Sequence, residues 1–116
     1  LHLSLRRQRQ MCIRDRALNT LSYASLKMRV EVYVEGVVQG VGFRYFTQRI
    51  AKEIGIKGFV KNLADGRVYI VADGDEEQLD KFLSYIKKGS RSSIVRRVEV
   101  REIEESEKFE NFNIRF

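Results

Sequence analysis

The stretch MRVEVYVEGVVQGVGFRYFTQRIAKEIG, residues 28–55, changes its hydrophobic period partway along, and that change decides the fold. Val30, Val32 and Val34 alternate with Arg29, Glu31, Tyr33 and Glu35, the period of two of a strand with one buried face. Phe43, Phe46, Ile50, Ala51 and Ile54 then recur at spacings of three and four, which predicts an amphipathic helix closed by Gly55. A glycine-rich turn, Gly36 to Gly42, joins the two. The first turn of the helix carries Arg44 and no acid, against the preference of the positive end of a helix dipole. An anion seated among the free N–H groups would remove that conflict, with Gly40 and Gly42 admitting a close backbone approach and Arg44 closing a bidentate grip. The standard nucleotide loops do not fit, because no Gly-Lys-Ser/Thr follows and the third glycine of GxGxxG is missing.

Outward from this unit, Lys57 to Leu63 reads as a second strand, Ala64-Asp65-Gly66 as a turn, and Arg67 to Asp73 as a third strand in a hairpin with the second. A second helix is announced by Asp75 as cap with Gln78 three residues on, by Glu76 and Glu77 in its first turn, and by Lys87-Lys88-Gly89 at its end. Its inward stripe is Leu79, Phe82, Leu83 and Ile86. Val98 and Val100 alternate in a fourth strand, and Phe112, Ile114 and Phe116 in a short fifth. The order βαββαβ plus a terminal strand is the α+β, ferredoxin-like split βαβ pattern, which predicts an antiparallel sheet with two helices on one face. Strands one and two then run parallel with strand three between them, so their carboxyl ends lie roughly 10 Å apart, two strand spacings.

The 116 residues, 43% hydrophobic, suffice for one domain with a modest core. The formal charge of +6 is uneven: residues 1–27 hold six of the 22 Lys and Arg and one of the 16 Asp and Glu, leaving 16 bases against 15 acids from Met28 on. Residues 1–27 also lack a foldable period, and we read them as a leader outside the domain, translated upstream or adapter sequence around MCIRDR. A transit peptide rich in Arg and Ser is the alternative, and a nucleic-acid-binding arm a third. Cys12 and His2, the only cysteine and histidine, both fall in this leader, so residues 28–116 offer no thiol or imidazole catalyst and no Cys- or His-based metal site. No stretch approaches the roughly 18 apolar residues of a membrane span. A cytoplasmic, monomeric protein without cofactor or metal is expected, with no nucleic-acid or membrane partner.

The string Val34-Glu-Gly-Val-Val-Gln-Gly-Val-Gly-Phe-Arg44 resembles the first signature of the acylphosphatase family at every fixed position, and Gly58-Phe59-Val60-Lys61-Asn62 resembles the second. The resemblance extends over essentially all of residues 28–116, including Ala64-Asp65-Gly66 and Phe109-x-x-Phe112-x-Ile114; Gly89-Ser90 departs from the Gly-Pro of many members, away from the site. It implies hydrolysis of an acyl phosphate to carboxylate and inorganic phosphate. Arg44 and the backbone N–H groups of Gln39, Gly40, Val41, Gly42 and Phe43 would hold the phosphoryl oxygens, and the Asn62 amide would orient the attacking water. The missing His and Cys agree with that substrate class. A carboxylate leaving group has a conjugate acid of pKa about 4 to 5, so no protein acid is needed for its departure. The rival is a non-catalytic ferredoxin-like domain, either regulatory or RNA-binding. Lys57-Gly58-Phe59 starts like an RNA-recognition motif, but the further aromatics of that motif do not follow.

Overall fold

The computed structural model describes residues 27–104 and 107–116, and the leader expected over residues 1–27 lies outside them apart from Lys27. Seven elements follow one another: β1 (Lys27–Val37), α1 (Phe43–Ile54), β2 (Lys57–Asn62), β3 (Val68–Asp75), α2 (Glu76–Lys88), β4 (Ile94–Glu102) and β5 (Phe112–Arg115). The strands form one sheet in the order β4-β1-β3-β2-β5. β3 pairs antiparallel with both β1 and β2, so β1 and β2 run parallel on either side of it and end together. That arrangement brings the β1–α1 loop beside the carboxyl end of β2.

The expected antiparallel sheet needs one correction: β5 pairs parallel to β2, so the sheet is mixed. The reason is the path of the chain. β4 lies on the far edge, antiparallel to β1, and ends where β2 begins; a link crossing that end of the sheet can only re-enter in the direction of β2. Phe116 also departs from the expected alternation, since it falls beyond β5 and is 95% exposed.

The helix-facing side of the sheet supplies Val30, Val32, Val34, Val60, Ile70 and Ala72, which pack with Phe43, Ile50, Ala51, Leu79, Phe82, Leu83 and Ile86 in one core. Thr47 joins the buried face of α1 because its hydroxyl donates to the Phe43 carbonyl at 2.9 Å, one turn back, and so enters the core already bonded. The two helices start differently. At α2 the Asp75 carboxylate accepts from the Gln78 N–H and the Gln78 amide oxygen accepts from the Asp75 N–H, a reciprocal capping box. At α1 the capping position is Gly42, and no side chain caps the free N–H groups.

Among the described residues no helix covers the other face of the sheet, yet Glu31 is only 6% exposed there. Its carboxylate accepts from the Tyr69 hydroxyl at 2.9 Å and from Arg101 Nε at 2.7 Å, with Arg101 Nη2 also in contact. A buried carboxylate needs such partners, because unpaired burial costs far more than the pairing returns. Tyr69→Phe is expected to lower the unfolding free energy in urea by about 1.5–3 kcal/mol, the scale of a hydrogen bond to a charged group. An unchanged urea midpoint would contradict this structural role.

Candidate active site

The loop between β1 and α1 is shaped by two glycines with left-handed backbones, Gly40 at φ 73° and Gly42 at φ 76°. A Cβ added to either would meet nothing within 4 Å, so both require glycine for conformation and leave open space above the loop. The loop is tied down by a side chain. Gln39 Nε2 donates to the Leu63 carbonyl at 2.7 Å and to the Arg67 carbonyl at 2.8 Å, joining the loop to both sides of the β2–β3 turn. That turn is closed in its own right, with the Leu63 N–H donating to Arg67 O at 2.8 Å and Arg67 bonded to the Asp65 carboxylate through its N–H and its Nε. The Arg67 N–H first, and then its guanidinium, hold the Asp65 carboxyl below the usual carboxylate range against the opposing effect of desolvation.

Asn62 ends β2 on the same face as Val60, the face that carries α1. Leu63, the next residue, is held by Gln39 of the loop. Lys61, the preceding residue, pairs in register with Arg115, and the Arg115 carbonyl accepts from Arg44 Nη1 at 3.4 Å. The residues on either side of Asn62 thus connect to the loop and, through Arg115, to Arg44, which puts all three at the same end of the sheet. Its Oδ1 is buried, and among the described residues it has no hydrogen-bond partner. That amide oxygen keeps its accepting capacity for a donor brought to the site.

Arg44 occupies the first turn of α1, where it is half-buried. Among the described residues no carboxylate pairs with it; its neighbours are the Arg115 carbonyl and the Phe116 ring, whose centroid lies 4.7 Å from Arg44 Cζ. A cation with most of its donors unspent, free N–H groups at an uncapped helix start and an unpaired amide all border the same loop. Oxygens of a tetrahedral anion would find donors on several sides here.

The sequence-predicted residues thus fall together at one end of the sheet: Gln39, Gly40, Val41, Gly42, Phe43 and Arg44 on the loop and first helical turn, and Asn62 beside them. Phe43 divides its roles, because its side chain is 1% exposed in the core and only its N–H is available at the helix start. Gln39 shapes the loop by fastening it to carbonyls 24 and 28 residues away, partners that no local signal announces. One feature was missed. Phe116, expected on a strand, instead lies against Arg44.

Fold and loop define a ferredoxin-like α+β domain with an uncapped, glycine-framed helix start facing an unpaired arginine and amide. A sequence model of the acylphosphatase family matches residues 30–114, and the chain belongs to that family. An acylphosphatase of Archaeoglobus fulgidus is 59% identical over 87 residues, covering 75% of this chain and 97% of the relative. The crystal structure of acylphosphatase from Bacillus subtilis superposes with a TM-score of 0.73 at 41% identity, over 78% of this chain and all (100%) of that one. Full-length HypF, in its phosphate- and nucleotide-bound crystal form, matches at 31% identity and a TM-score of 0.69 over 78% of this chain, but over only 12% of its own length.

Proposed function

We propose that residues 28–116 form an acylphosphatase domain in which Arg44 and the N–H groups of Gln39 to Phe43 bind the phosphoryl oxygens while Asn62 orients water. As a member of its family the chain is a hydrolase of acyl phosphates, with inorganic phosphate as product. The observation that carries the site assignment is the buried, unpartnered Asn62 Oδ1 beside an unpaired Arg44. A water donating an O–H to that oxygen would sit next to the cradle, with its lone pair free for phosphorus.

In this reading the water oxygen attacks phosphorus in line with the acyl oxygen, the P–O bond to that oxygen breaks, and the carboxylate departs. The proton of the attacking water passes to a phosphoryl oxygen, leaving inorganic phosphate. Arg44 and the loop N–H groups stabilise the negative charge on the equatorial oxygens, which is where the protein's contribution is largest in phosphoryl transfer. We further propose a cytoplasmic monomer that needs no metal or cofactor. The reading gives it no nucleic-acid or membrane partner. Supporting that last point, the open-face aromatics where a base would stack carry the chain's own cations: Arg67 over Tyr33, Lys61 over Tyr69, and Arg115 over Phe59.

The test is turnover of benzoyl phosphate by the full chain in chelator. Asn62→Ala is expected to lower kcat by about 100-fold or more while the inhibition constant of inorganic phosphate changes less than threefold, because the amide touches water and not the bound phosphoryl group. Wild-type-like kcat in that variant would remove Asn62 from the mechanism, and absence of turnover by the unmodified chain would remove the proposal itself.

A further inference from the structure

Fixing the phosphoryl group also fixes where the rest of the substrate must lie. In an acyl phosphate the carbonyl carbon is two bonds from phosphorus, so an acyl group on a phosphate held by Arg44 rests against the side chains that border Arg44. The nearest ring is Phe116, 4.7 Å from Arg44 Cζ and 95% exposed. The two contacts are compatible. A guanidinium grips phosphate oxygens through N–H groups in its own plane and stacks on rings through its face, so Phe116 can stay on Arg44 while the phosphate is bound.

The surroundings are apolar as well. Among the described residues the exposed large hydrophobic side chains are Val37, Tyr45, Tyr85, Ile94 and Phe116. All five lie toward one end of the molecule, the loop end: Val37 closes β1, Tyr45 is in the first turn of α1, Tyr85 is near the end of α2, Ile94 opens β4 paired with Val37, and Phe116 follows β5. The opposite end has none of them. Of the five, Phe116 touches Arg44 and Tyr45 is its neighbour in the first turn of α1, so apolar surface adjoins the site on the Arg44 side, where an apolar group could be received.

We propose that Phe116 is a specificity-determining residue, its ring forming the acyl side of the site and favouring acyl phosphates with an aromatic or long apolar acyl group over short ones. This rests on the assignment of Arg44 as the phosphoryl ligand. An aryl acyl group would lie offset on the exposed surface of the Phe116 ring, whereas an acetyl group is too small to cover it.

The test compares steady-state hydrolysis of benzoyl phosphate and acetyl phosphate by the full chain, Phe116→Ala and Phe116→Leu, together with inhibition by inorganic phosphate. Phe116→Ala is expected to lower kcat/KM for benzoyl phosphate about tenfold, chiefly through KM. With acetyl phosphate and with the phosphate inhibition constant the change should stay within about twofold, and Phe116→Leu should fall between. An equal loss on both substrates with weakened phosphate inhibition would overturn the proposal, since Phe116 would then only hold Arg44 in place. No change on either substrate would overturn it too, placing the ring outside the site. A separate control isolates the underlying assignment: if Arg44→Ala still turns over acetyl phosphate and is still inhibited by phosphate, the phosphoryl site itself is wrong, whatever Phe116 does.

Discussion

Arg44→Ala is expected to lose nearly all turnover, with kcat/KM for benzoyl phosphate down about 1,000-fold or more and inhibition by inorganic phosphate abolished. The size follows from the site's composition. In the proposed site Arg44 is the cation, its donors are largely unspent, and the backbone N–H groups cannot replace a full charge. Arg44→Lys should recover only a small part, because an ammonium cannot offer two parallel donors in one plane. Stability should move the other way. A cation in the first turn of a helix is unfavourable by about 0.3–1 kcal/mol, and the contacts Arg44 makes in return are one 3.4 Å bond and one ring face, so the Ala variant should unfold at equal or slightly higher urea concentration. Opposite signs for activity and stability are what a residue kept for its ligand produces. Turnover within tenfold of the unmodified chain would sink the assignment, as would a large loss of stability that accounts for the lost activity.

Gly58→Ala is expected to cost the fold about 3 kcal/mol or more, read as a drop in the urea midpoint and melting temperature. Gly58 opens the second signature, which makes it look like part of the chemistry, but its place in the sheet explains it better. Its φ is 143°, and a Cβ there would lie 1.9 Å from the Val71 carbonyl oxygen and 2.8 Å from the Val71 carbonyl carbon. Those are backbone atoms of β3, so no rotamer change relieves the overlap; β2 must move away from β3. Gly58 also pairs with Phe112, and its N–H donates to Asn111 O at 3.0 Å, so the same movement loosens β5. A variant that melts with the unmodified chain would show that β2 can absorb a methyl group here despite the overlap with Val71.

Much of this architecture was legible because it is locally encoded. The alternation of Val30, Val32 and Val34, the three-and-four spacing from Phe43 to Ile54, and the Asp75–Gln78 pair each act within one element, and each element formed where its pattern lies. The inverted charge of α1 was legible for the same reason, since Arg44 and the missing acid sit in one turn. What was not legible depends on residues far apart. Glu31 was expected to face outward, and its strand position does so; its burial comes from Tyr69, 38 positions away, and Arg101, 70 away. The direction of β5 depends on which end of the sheet the preceding link crosses, which no property of Phe112 to Arg115 encodes. Phe116 continued the alternation in sequence but lies past the last pair of the ladder, where no neighbouring strand remains to set its face.

The fastening of Gln39 to Leu63 and Arg67 has a thermodynamic consequence. A flexible glycine loop that had to be ordered by its ligand would set the entropy of ordering against every binding event. Here the two amide hydrogen bonds assign that ordering to the folding equilibrium, so the loop is already in shape for the anion it is proposed to bind. The same bonds make loop and hairpin turn a single body. The conformation of Gly40 and Gly42 is therefore held by the strands behind it, and substrate exchange need not wait for the loop to fold and unfold.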